Sequence, residues 1–265
     1  MNDLPLSVGG RKALDIALEA ARNAGALIRA RFYTDKEVSY KGPSNLVTDV
    51  DIATEALLRE NFALEFPSIG FLGEESGGDG SDVGLRWVVD PVDGTRNYAL
   101  GVPHFAVSLA LVSGTDVLLG VTYDPMRDEM FYATKGYGAY LNGNPISVTK
   151  RTLLSESILG FDLGPVDVNA LSAFKLLQRL WPGFQAIRVL GSAALGLAYI
   201  ASGRFDIYFH YTVAPWDVAA GILLVREAGG QVNEAGGGLA TLESTSVVSS
   251  SPMLLEEFLS RAEEL

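Results

Sequence analysis

The spacing of apolar residues changes repeatedly along the chain, and each change predicts a helix or a strand. Residues 11–33 carry apolar side chains at helical spacing, including Leu14, Leu18 and Ile28, and a second helix is predicted over residues 52–66. Short apolar runs bounded by turn residues predict strands elsewhere. Because both halves of the chain mix helices with strands, we expect an α+β fold built on two mixed or antiparallel sheets.

The first half of the chain is predicted to contain an antiparallel meander. Its strands are expected over residues 69–72, 85–90, 105–113, 117–123, 130–133 and 146–148. The pair Asn142-Gly143 predicts a tight hairpin. Residues 33–44 are polar and include Lys41, so they predict an exposed, mobile loop.

Strands and helices alternate more regularly in the second half. Strands are predicted over residues 153–161, 186–190, 205–211 and 247–250, and helices over residues 168–180, 192–202, 215–228 and 252–264. Pro215 stands near the first position of its helix, and Gly229-Gly230 stops it. We interpret residues 1–150 and residues 151–265 as two halves, with a site between them.

Two carboxylates lie three residues apart at the end of an apolar strand. The run Trp87-Val88-Val89 ends on Asp90, Pro91 interrupts strand pairing, and Asp93-Gly94 continues into a sharp turn. Carboxylates fixed on a rigid backbone can bind a hard divalent cation. The alternative is an Asp-rich turn with no further role, because these residue types all favour turns. The haloacid dehalogenase nucleophile motif is a second alternative, but it separates its two Asp residues by one residue instead of two.

Further acidic residues stand at the ends of predicted elements. Glu74 follows a strand in a Gly-rich turn, Asp217 lies in the first turn of a helix, and Asp49 and Asp51 precede another helix. Taken singly, each of the three Asp residues is explained by helix capping or by the helix dipole. Taken together, the acidic residues at strand and helix ends indicate convergence on one site.

Composition excludes several other kinds of site. The chain has 265 residues, with 20 Lys plus Arg against 32 Asp plus Glu, so the net charge is −12. That balance argues against a nucleic-acid partner. The sequence has no Cys and only His104 and His210, which excludes thiolate and His-rich metal sites. No membrane span or signal peptide is evident, so a cytoplasmic location with no membrane partner is expected.

Three motifs make the chain similar to the inositol monophosphatase family of magnesium-dependent, lithium-sensitive sugar-phosphate phosphatases. The motifs are Gly73-Glu74-Glu75-Ser76, Trp87-Val88-Val89-Asp90-Pro91-Val92-Asp93-Gly94-Thr95-Arg96-Asn97-Tyr98 and Trp216-Asp217-Val218-Ala219-Ala220-Gly221. The resemblance covers nearly the whole chain. It implies a layered α-β-α-β-α sandwich, shared with fructose-1,6-bisphosphatases, and a homodimer.

The resemblance also implies a set of metal ligands. Glu74, Asp90 and the backbone carbonyl of Val92 look like the ligands of a first Mg²⁺, and Asp90, Asp93 and Asp217 look like those of a second. A third ion per site is compatible with the family. Two carboxylates about 4 Å apart repel by roughly 4 kcal/mol at an effective dielectric constant near 20. Gathered carboxylates of this kind therefore need cations, and a phosphate could not approach them otherwise.

Catalytic and substrate-binding roles follow from the same resemblance. Asp51 and Thr95 look like the pair that activates the attacking water, and Glu74 is counted with them as catalytic. The N–H groups of Gly94 and Thr95 look like phosphate binders. The wall facing the substrate's ring looks like Gly191, Ser192 and Ala193. Residues 33–44, with Lys41, are expected to cover the site.

One position departs from the animal-type members of the family. Their Glu seven residues before the Asp of the Trp-Asp motif contacts inositol hydroxyls, whereas this chain has His210 there. A His changes the charge and the reach of that contact. A small phosphorylated polyol or sugar is therefore the expected substrate, with inositol monophosphate first. Fructose 1,6-bisphosphate, histidinol phosphate and 3′-phosphoadenosine phosphates stay open, as do a non-catalytic sugar-phosphate binder and a scaffold or RNA-associated role.

Overall fold

The structure, a computed structural model, describes residues 4–42, 45–78, 84–164 and 167–263. The helices in these residues are α1 (Ala13–Arg31), α2 (Asp49–Glu65), α3 (Thr95–Ala99), α4 (Asp167–Leu180), α5 (Ala193–Ala201), α6 (Pro215–Glu227) and α7 (Pro252–Glu263). The strands up to residue 145 are β1 (Val38–Gly42), β2 (Asn45–Thr48), β3 (Gly70–Gly73), β4 (Gly77–Gly78), β5 (Leu85–Asp93), β6 (Ala106–Ser113), β7 (Asp116–Asp124), β8 (Glu129–Thr134), β9 (Ala139–Leu141) and β10 (Asn144–Pro145). The later strands are β11 (Ile158–Asp162), β12 (Ala186–Val189), β13 (Ile207–His210), β14 (Gln231–Asn233) and β15 (Val247–Ser250).

Two large sheets organise the described part of the chain. The first has the strand order β10-β9-β8-β7-β6-β5-β3-β4 and is antiparallel except between β3 and β5. The second has the order β12-β11-β13-β15-β14, with parallel pairing on one side of β13 and antiparallel pairing on the other. The predicted meander and the hairpin at Asn142-Gly143 are confirmed.

Helices cover both faces of each sheet and produce five layers. The helices α1 and α2 pack on the outer face of the first sheet, α5 and α6 lie between the two sheets, and α4 and α7 cover the second sheet. Successive residues of β5 alternate between two cores: Trp87 and Val89 face α2, whereas Val88 faces α5 and α6. Burial on both faces explains why this strand is a continuous apolar run, and the predicted layered fold is confirmed.

The contact between α6 and the first sheet is unusually close at one glycine. A Cβ atom added at Gly120 in β7 would lie 2.8 Å from the carbonyl oxygen of Ala220 and 2.9 Å from its Cα. The backbone of α6 therefore rests directly on the strand. Near the start of the same helix, Ser108 in β6 donates a hydrogen bond of 3.0 Å to the carbonyl oxygen of Trp216. These two contacts fix the beginning of α6 relative to the sheet.

Several predicted elements are wrong in part. Residues 33–44 are not only a loop, because β1 occupies Val38–Gly42 and pairs with β2; Pro43 and Ser44 lie outside the described residues. Residues 146–148 are not a strand, because the N–H of Val148 donates to the carbonyl of Ala228 in a connection and not to a strand.

Other strand and helix boundaries shift by a few residues. The strand predicted over 153–161 begins only at Ile158, after a 3₁₀ turn at Leu154–Glu156, and the strand predicted over 205–211 is Ile207–His210. The helix predicted over 52–66 begins at Asp49, because Thr48 caps it. The short strand β14 was not predicted.

The proposed division near residue 150 falls where the chain passes between the sheets. The last strand of the first sheet ends at Pro145, and the first strand of the second begins at Ile158. Within the described ranges, none of the helices combines the length and apolar character that crossing a membrane requires.

Candidate active site

Asp90 and Asp93 lie at the end of β5, in the middle of the first sheet. The strand does not stop at Asp90 as predicted but continues to Asp93 through an irregular register, with Asp93 opposite Ala106. One extra residue at the irregularity bends the strand, and the carboxylates of Asp90 and Asp93 come close together. The N–H of Val92 donates a 2.9 Å hydrogen bond to Asp90 Oδ1 and so orients that carboxylate.

Asp217 reaches the same place from the start of α6. Its Oδ2 accepts a 2.7 Å hydrogen bond from the N–H of Ala214, so it does have the helix-capping role that we considered as the alternative. Its carboxylate also joins those of Asp90 and Asp93: one oxygen from each of the three lies within 4.8 Å of the others. We call Asp90, Asp93 and Asp217 the acidic cluster.

The start of α5 holds Asp93 in position. The N–H groups of Ala193 and Ala194 donate to its two oxygens at 3.2 and 2.9 Å, and the hydroxyl of Ser192 donates to Oδ2. Ser192 and Ala193, predicted to face the substrate, therefore contact a carboxylate of the cluster. These N–H groups lie at the positive end of the helix dipole, which favours the ionised carboxylate.

Asp51 and Thr95 lie beside each other, as expected of a water-activating pair. Thr95 Oγ1 is 3.0 Å from Asp51 Oδ1 and 3.1 Å from the carbonyl oxygen of Val92. The N–H and the hydroxyl of Thr48 both bond Asp51 Oδ2 in a capping box. Burial raises the pKa of Asp51 to about 6, although its hydrogen bonds with Thr48 and Thr95 act in the opposite direction.

Glu74 has a different partner in this structure. Lys41 Nζ on the β1–β2 hairpin lies 2.8 Å from Glu74 Oε1 and 2.9 Å from Glu75 Oε1. Among the described residues, the group of carboxylates close enough to share an ion contains Asp90, Asp93 and Asp217 and not Glu74. Glu74 is nevertheless near, because its charge is one of the causes that raise the pKa of Asp90. The described part of this segment thus approaches the site through Lys41, and its covering of the site stays a prediction.

The electrostatics of the acidic cluster favour a bound cation. Burial raises the pKa of Asp90 and of Asp217 well above the ordinary range for aspartate, and neighbouring carboxylates raise both further. Burial also raises the pKa of Asp93 to about 7, although its bonds with Ser192 and the following N–H groups lower it. A buried, all-oxygen and mutually repelling donor set fits Mg²⁺ well.

His210 and Gly191 lie near the ends of neighbouring elements. His210 is 8% exposed at the end of β13, and neither of its ring nitrogens has a hydrogen-bond partner among the described residues. Burial lowers its pKa to about 4, so the ring is neutral near pH 7. A substrate could reach this ring only after its surroundings open. Gly191 is partly covered by Asn97, whose Nδ2 donates 2.9 Å to the carbonyl of Leu190.

The sequence analysis missed two buried acids that support the site. Asp162 Oδ1 accepts the N–H groups of Leu190, at 2.9 Å, and of Gly191, and so holds the segment before α5. Glu55 in α2 accepts N–H groups from the residues after Glu74. The signal for Glu55 was its spacing of four residues from Asp51, which puts both on one face of a helix.

Known proteins of one family are similar to this chain over nearly its whole length. The model of the inositol monophosphatase family matches residues 11–265. "Inositol monophosphatase 1" of Solanum lycopersicum is 38% identical over 253 residues, covering 93% of each chain. "Nus factor SuhB" of Escherichia coli K12 is 40% identical over 251 residues, covering 93% of this chain and 94% of its own.

Solved structures agree as well. The extragenic suppressor protein suhB of Bartonella henselae has a TM-score of 0.90 at 33% identity, over 95% of this chain and 98% of that one. SaIMPase-II, solved with inositol monophosphate bound, has a TM-score of 0.80 at 26% identity, over 95% and 93%.

Proposed function

The chain belongs to the inositol monophosphatase family and is a phosphatase, and we propose that it hydrolyses a phosphate monoester of a small polyol or sugar in a Mg²⁺-dependent reaction. The observation that carries this proposal is the acidic cluster beside the Asp51–Thr95 pair. A cluster of buried carboxylates is costly in a protein unless cations neutralise it. The same neutralisation would allow a phosphate dianion to approach.

The acidic cluster would hold the metal ions, with Glu74 and the carbonyl of Val92 as further ligands. When bound, two or three Mg²⁺ ions would supply positive charge for the phosphate oxygens and for the leaving alcohol oxygen, and would acidify water. The Lys41 ammonium, which lies 2.8 Å from Glu74 Oε1, would compete with a metal ion for that carboxylate. No Ser, Cys or His nucleophile is required by this arrangement.

Asp51 and Thr95 would prepare the attacking water. Because Thr95 Oγ1 can donate its proton to Asp51 Oδ1, its lone pair can accept a hydrogen bond from water. The pKa of Asp51, about 6, is suited to receiving a proton near neutral pH. The new bond joins the water oxygen to phosphorus, the bond to the alcohol oxygen breaks, and that oxygen takes up a proton. The N–H groups of Gly94 and Thr95 would bind the phosphate.

Inositol monophosphate is the first candidate substrate. The tomato relative is named an inositol monophosphatase, and SaIMPase-II was solved with inositol monophosphate bound. Gly191, Ser192, Ala193 and His210 would line the side that faces the alcohol portion. A neutral imidazole at position 210 is compatible with substrate hydroxyls as donor or acceptor, but it offers no charge.

A phosphate-release assay compares inositol monophosphate with other substrates of the wider group. We expect phosphate release from inositol 1-phosphate to exceed release from fructose 1,6-bisphosphate, histidinol phosphate and 3′-phosphoadenosine 5′-phosphate. The variant His210→Glu should shift the preference further toward inositol 1-phosphate by about tenfold, while hydrolysis of p-nitrophenyl phosphate continues. An unchanged ratio between two substrates would mean that position 210 does not face the alcohol.

The metal requirement has its own test. Activity should vanish in excess EDTA, return with Mg²⁺, and fall again in millimolar Ca²⁺, whose looser coordination misplaces the water. Full activity in EDTA would overturn the proposal. Binding of inositol 1-phosphate without turnover, at every metal concentration, would favour the non-catalytic binder instead.

Further expectations accompany the proposal. The relative named Nus factor SuhB keeps a scaffold role in view, although the net charge of −12 does not favour direct RNA binding. Lithium inhibition, a homodimer, a cytoplasmic location and the division into two halves at residue 150 stay predictions. Inhibition assays with LiCl and light scattering of the purified protein test the first two.

A further inference from the structure

Glu55 is a buried carboxylate outside the proposed set of metal ligands. It lies in α2, one helical turn after Asp51, and is 3% exposed. A buried glutamate costs free energy unless its oxygens are bonded. Both of its oxygens are bonded here, and the partners belong to the segment that carries Glu74.

The bonds go to two consecutive backbone N–H groups. The N–H of Glu75 donates to Glu55 Oε2 at 2.7 Å, and the N–H of Ser76 donates to Oε1 at 2.9 Å. The hydroxyl of Ser76 also bonds Oε1. Successive N–H groups that point the same way form a concave site for an anion, and the Glu55 carboxylate fills it.

This contact fixes the direction in which Glu74 leaves the backbone. The N–H of Glu74 is bonded to the carbonyl of Val89 in β5 at 3.2 Å. The peptide that follows Glu74 contributes the N–H of Glu75, which Glu55 binds. Hydrogen bonds therefore hold the peptides on both sides of Glu74, one from the strand of the acidic cluster and one from Glu55.

The residue before Glu74 leaves room for this carboxylate. A Cβ atom added at Gly73 would lie 2.4 Å from Glu55 Cδ, so a side chain there would force the Glu55 carboxylate to move. The close approach brings α2 against the end of β3. The same helix also carries Asp51, so α2 supports the water-activating pair and the Glu74 segment from one face.

We infer that Glu55 is a positioning residue that orients Glu74 toward the metal site through the N–H groups of Glu75 and Ser76. This inference rests on the proposed function, because it assigns Glu74 as a ligand. Groups that orient metal ligands by hydrogen bonds typically change metal affinity about 10- to 100-fold when they are removed. Glu55 should act in the same way, through the backbone and without touching the ion.

The test compares Glu55→Gln with Glu60→Gln, an exposed glutamate on the same helix. Gln keeps the size of the side chain but points an NH₂ group at a backbone N–H that needs an acceptor. Mg²⁺ affinity is measured by calorimetry and by the Mg²⁺-induced rise in melting temperature, and the Mg²⁺ midpoint of phosphate release is measured in parallel. We expect Glu55→Gln to weaken Mg²⁺ binding about 10- to 100-fold, with Glu60→Gln within twofold of wild type.

A merely structural role would give a different pattern. Glu55→Gln would then lower the melting temperature without Mg²⁺ while leaving the Mg²⁺ midpoint within twofold of wild type, and that result would overturn the inference. If Glu55→Gln does not fold, Glu55→Asp is measured, since it keeps the charge and withdraws it by one methylene. A Mg²⁺ midpoint within twofold of wild type for that variant would also overturn the inference.

Wild type and Glu74→Gln separate this inference from the proposed function. If wild type neither binds Mg²⁺ nor releases phosphate, the proposed function fails. If wild type does both and Glu74→Gln weakens Mg²⁺ binding, but Glu55→Gln matches wild type, only the role of Glu55 fails. Loss of Mg²⁺ affinity in both variants supports the inference.

Discussion

Buried aspartates occur in two settings in this protein, and the settings differ in what neutralises the charge. The side chains of Asp124 and Asp206 are fully buried, and each pairs with an arginine: Arg127 at 2.7 Å and Arg151 at 2.9 Å. Each also accepts backbone N–H groups. In the acidic cluster Asp90 and Asp93 are buried and Asp217 is partly buried, but none of the three forms an ion pair with Lys or Arg in the described part of the chain.

The difference shows how the protein divides its acidic residues between two purposes. An arginine beside a buried carboxylate completes the charge balance within the chain, so the pair needs nothing from solution. The acidic cluster is balanced only by protonation or by an added cation. Its members are held by backbone N–H groups that orient them, and this leaves their charge available.

Asp93→Asn should produce the largest effect. Asn keeps the shape but removes the charge that would hold the second ion, and loss of one such stabiliser commonly costs about 3–4 kcal/mol, or 10²–10³ in rate. The melting temperature without metal should change little, because one of three repelling carboxylates is gone but the Asn NH₂ group faces an N–H of α5 that needs an acceptor. The rise on adding Mg²⁺ should be smaller than in wild type. Phosphate release and thermal melts measure these effects.

Asp206→Asn is the matched control for that variant, since the substitution is the same and the position is equally buried. Two results would mean that Asp93 is only a turn residue. One is near-normal turnover by Asp93→Asn, and the other is a Mg²⁺-induced stabilisation of Asp93→Asn equal to that of wild type.

Asp206→Asn should itself show the opposite pattern. It removes the charge that pairs with Arg151 and leaves one oxygen to accept from Arg151 or from the N–H of Ile158, and loss of such a charge-assisted contact commonly costs about 2 kcal/mol. Arg151 is partly exposed and regains water, which limits the cost. Urea unfolding should therefore show lower stability, while the Mg²⁺ midpoint stays at the wild-type value. A shifted Mg²⁺ midpoint for Asp206→Asn would contradict the distinction between arginine-paired aspartates and the acidic cluster.

His210 extends the comparison to a buried base that has no partner among the described residues. Its pKa is about 4 in the folded protein against about 6.5 when unfolded, so the unfolded chain binds an extra proton between these values. The contribution of His210 to stability should therefore fall as pH falls from about 7 to about 4, by about 3 kcal/mol at most. The acidic cluster acts in the opposite direction, because its raised pKa values let the folded protein take up protons over the same range. Urea unfolding of the metal-free protein at several pH values measures this.

The variant His210→Gln isolates the contribution of that ring. As pH falls over this range, the stability of the variant should rise relative to that of wild type, because Gln does not titrate while the other acidic groups titrate in both proteins. Parallel pH curves for the two proteins would show that His210 is already hydrated or bonded in the folded state.

Lys41→Met should give the smallest effect. The ammonium, partly exposed, pairs with Glu74 and Glu75, and such a pair commonly contributes about 0.5–1 kcal/mol. Removing it should lower the melting temperature without metal slightly. It should also lower the Mg²⁺ midpoint two- to fivefold, because no lysine then competes for Glu74. Lys36→Met is the control, since Lys36 bonds backbone carbonyls. A raised Mg²⁺ midpoint would contradict the competition.

The acidic cluster could be predicted from sequence because its signal is local. Asp90, Asp93 and Asp217 each interrupt or begin an apolar segment, and although turns or capping explain each one singly, their recurrence at element ends indicated a shared site. The chain order of strands around them follows from short apolar runs and turn residues. Burial on both faces made β5 visible as a continuous run.

Other features depend on contacts that a linear pattern does not contain. The strand β1 is mostly exposed, so its residues carry little alternation and were taken as part of a loop. Residues 146–148 have the alternation of a strand, but their backbone bonds a helix end. Glu55 looked like an ordinary acid near a helix start, and its burial depends on how α2 packs against β3. Lys41 was placed over the site, but its pairing with Glu74 was not predicted.

At Gly120 a hydrogen atom takes the place of a side chain, and this affects the position of α6 as well as the strand. Because the backbone of α6 lies on β7 at that point, the thickness of position 120 determines how far the helix stands from the sheet. Asp217 is on α6 and Asp90 is on the first sheet, so the contact of α6 with Gly120 determines the distance between the two carboxylates. A methyl group at position 120 would push α6 away from the sheet. It would widen the gap that an ion must bridge without changing any of the ligand groups that contact the ion. The separation of the metal-binding carboxylates therefore depends on a hydrogen atom in β7, which meets α6 at Ala220, three residues after Asp217, and which takes no part in the chemistry.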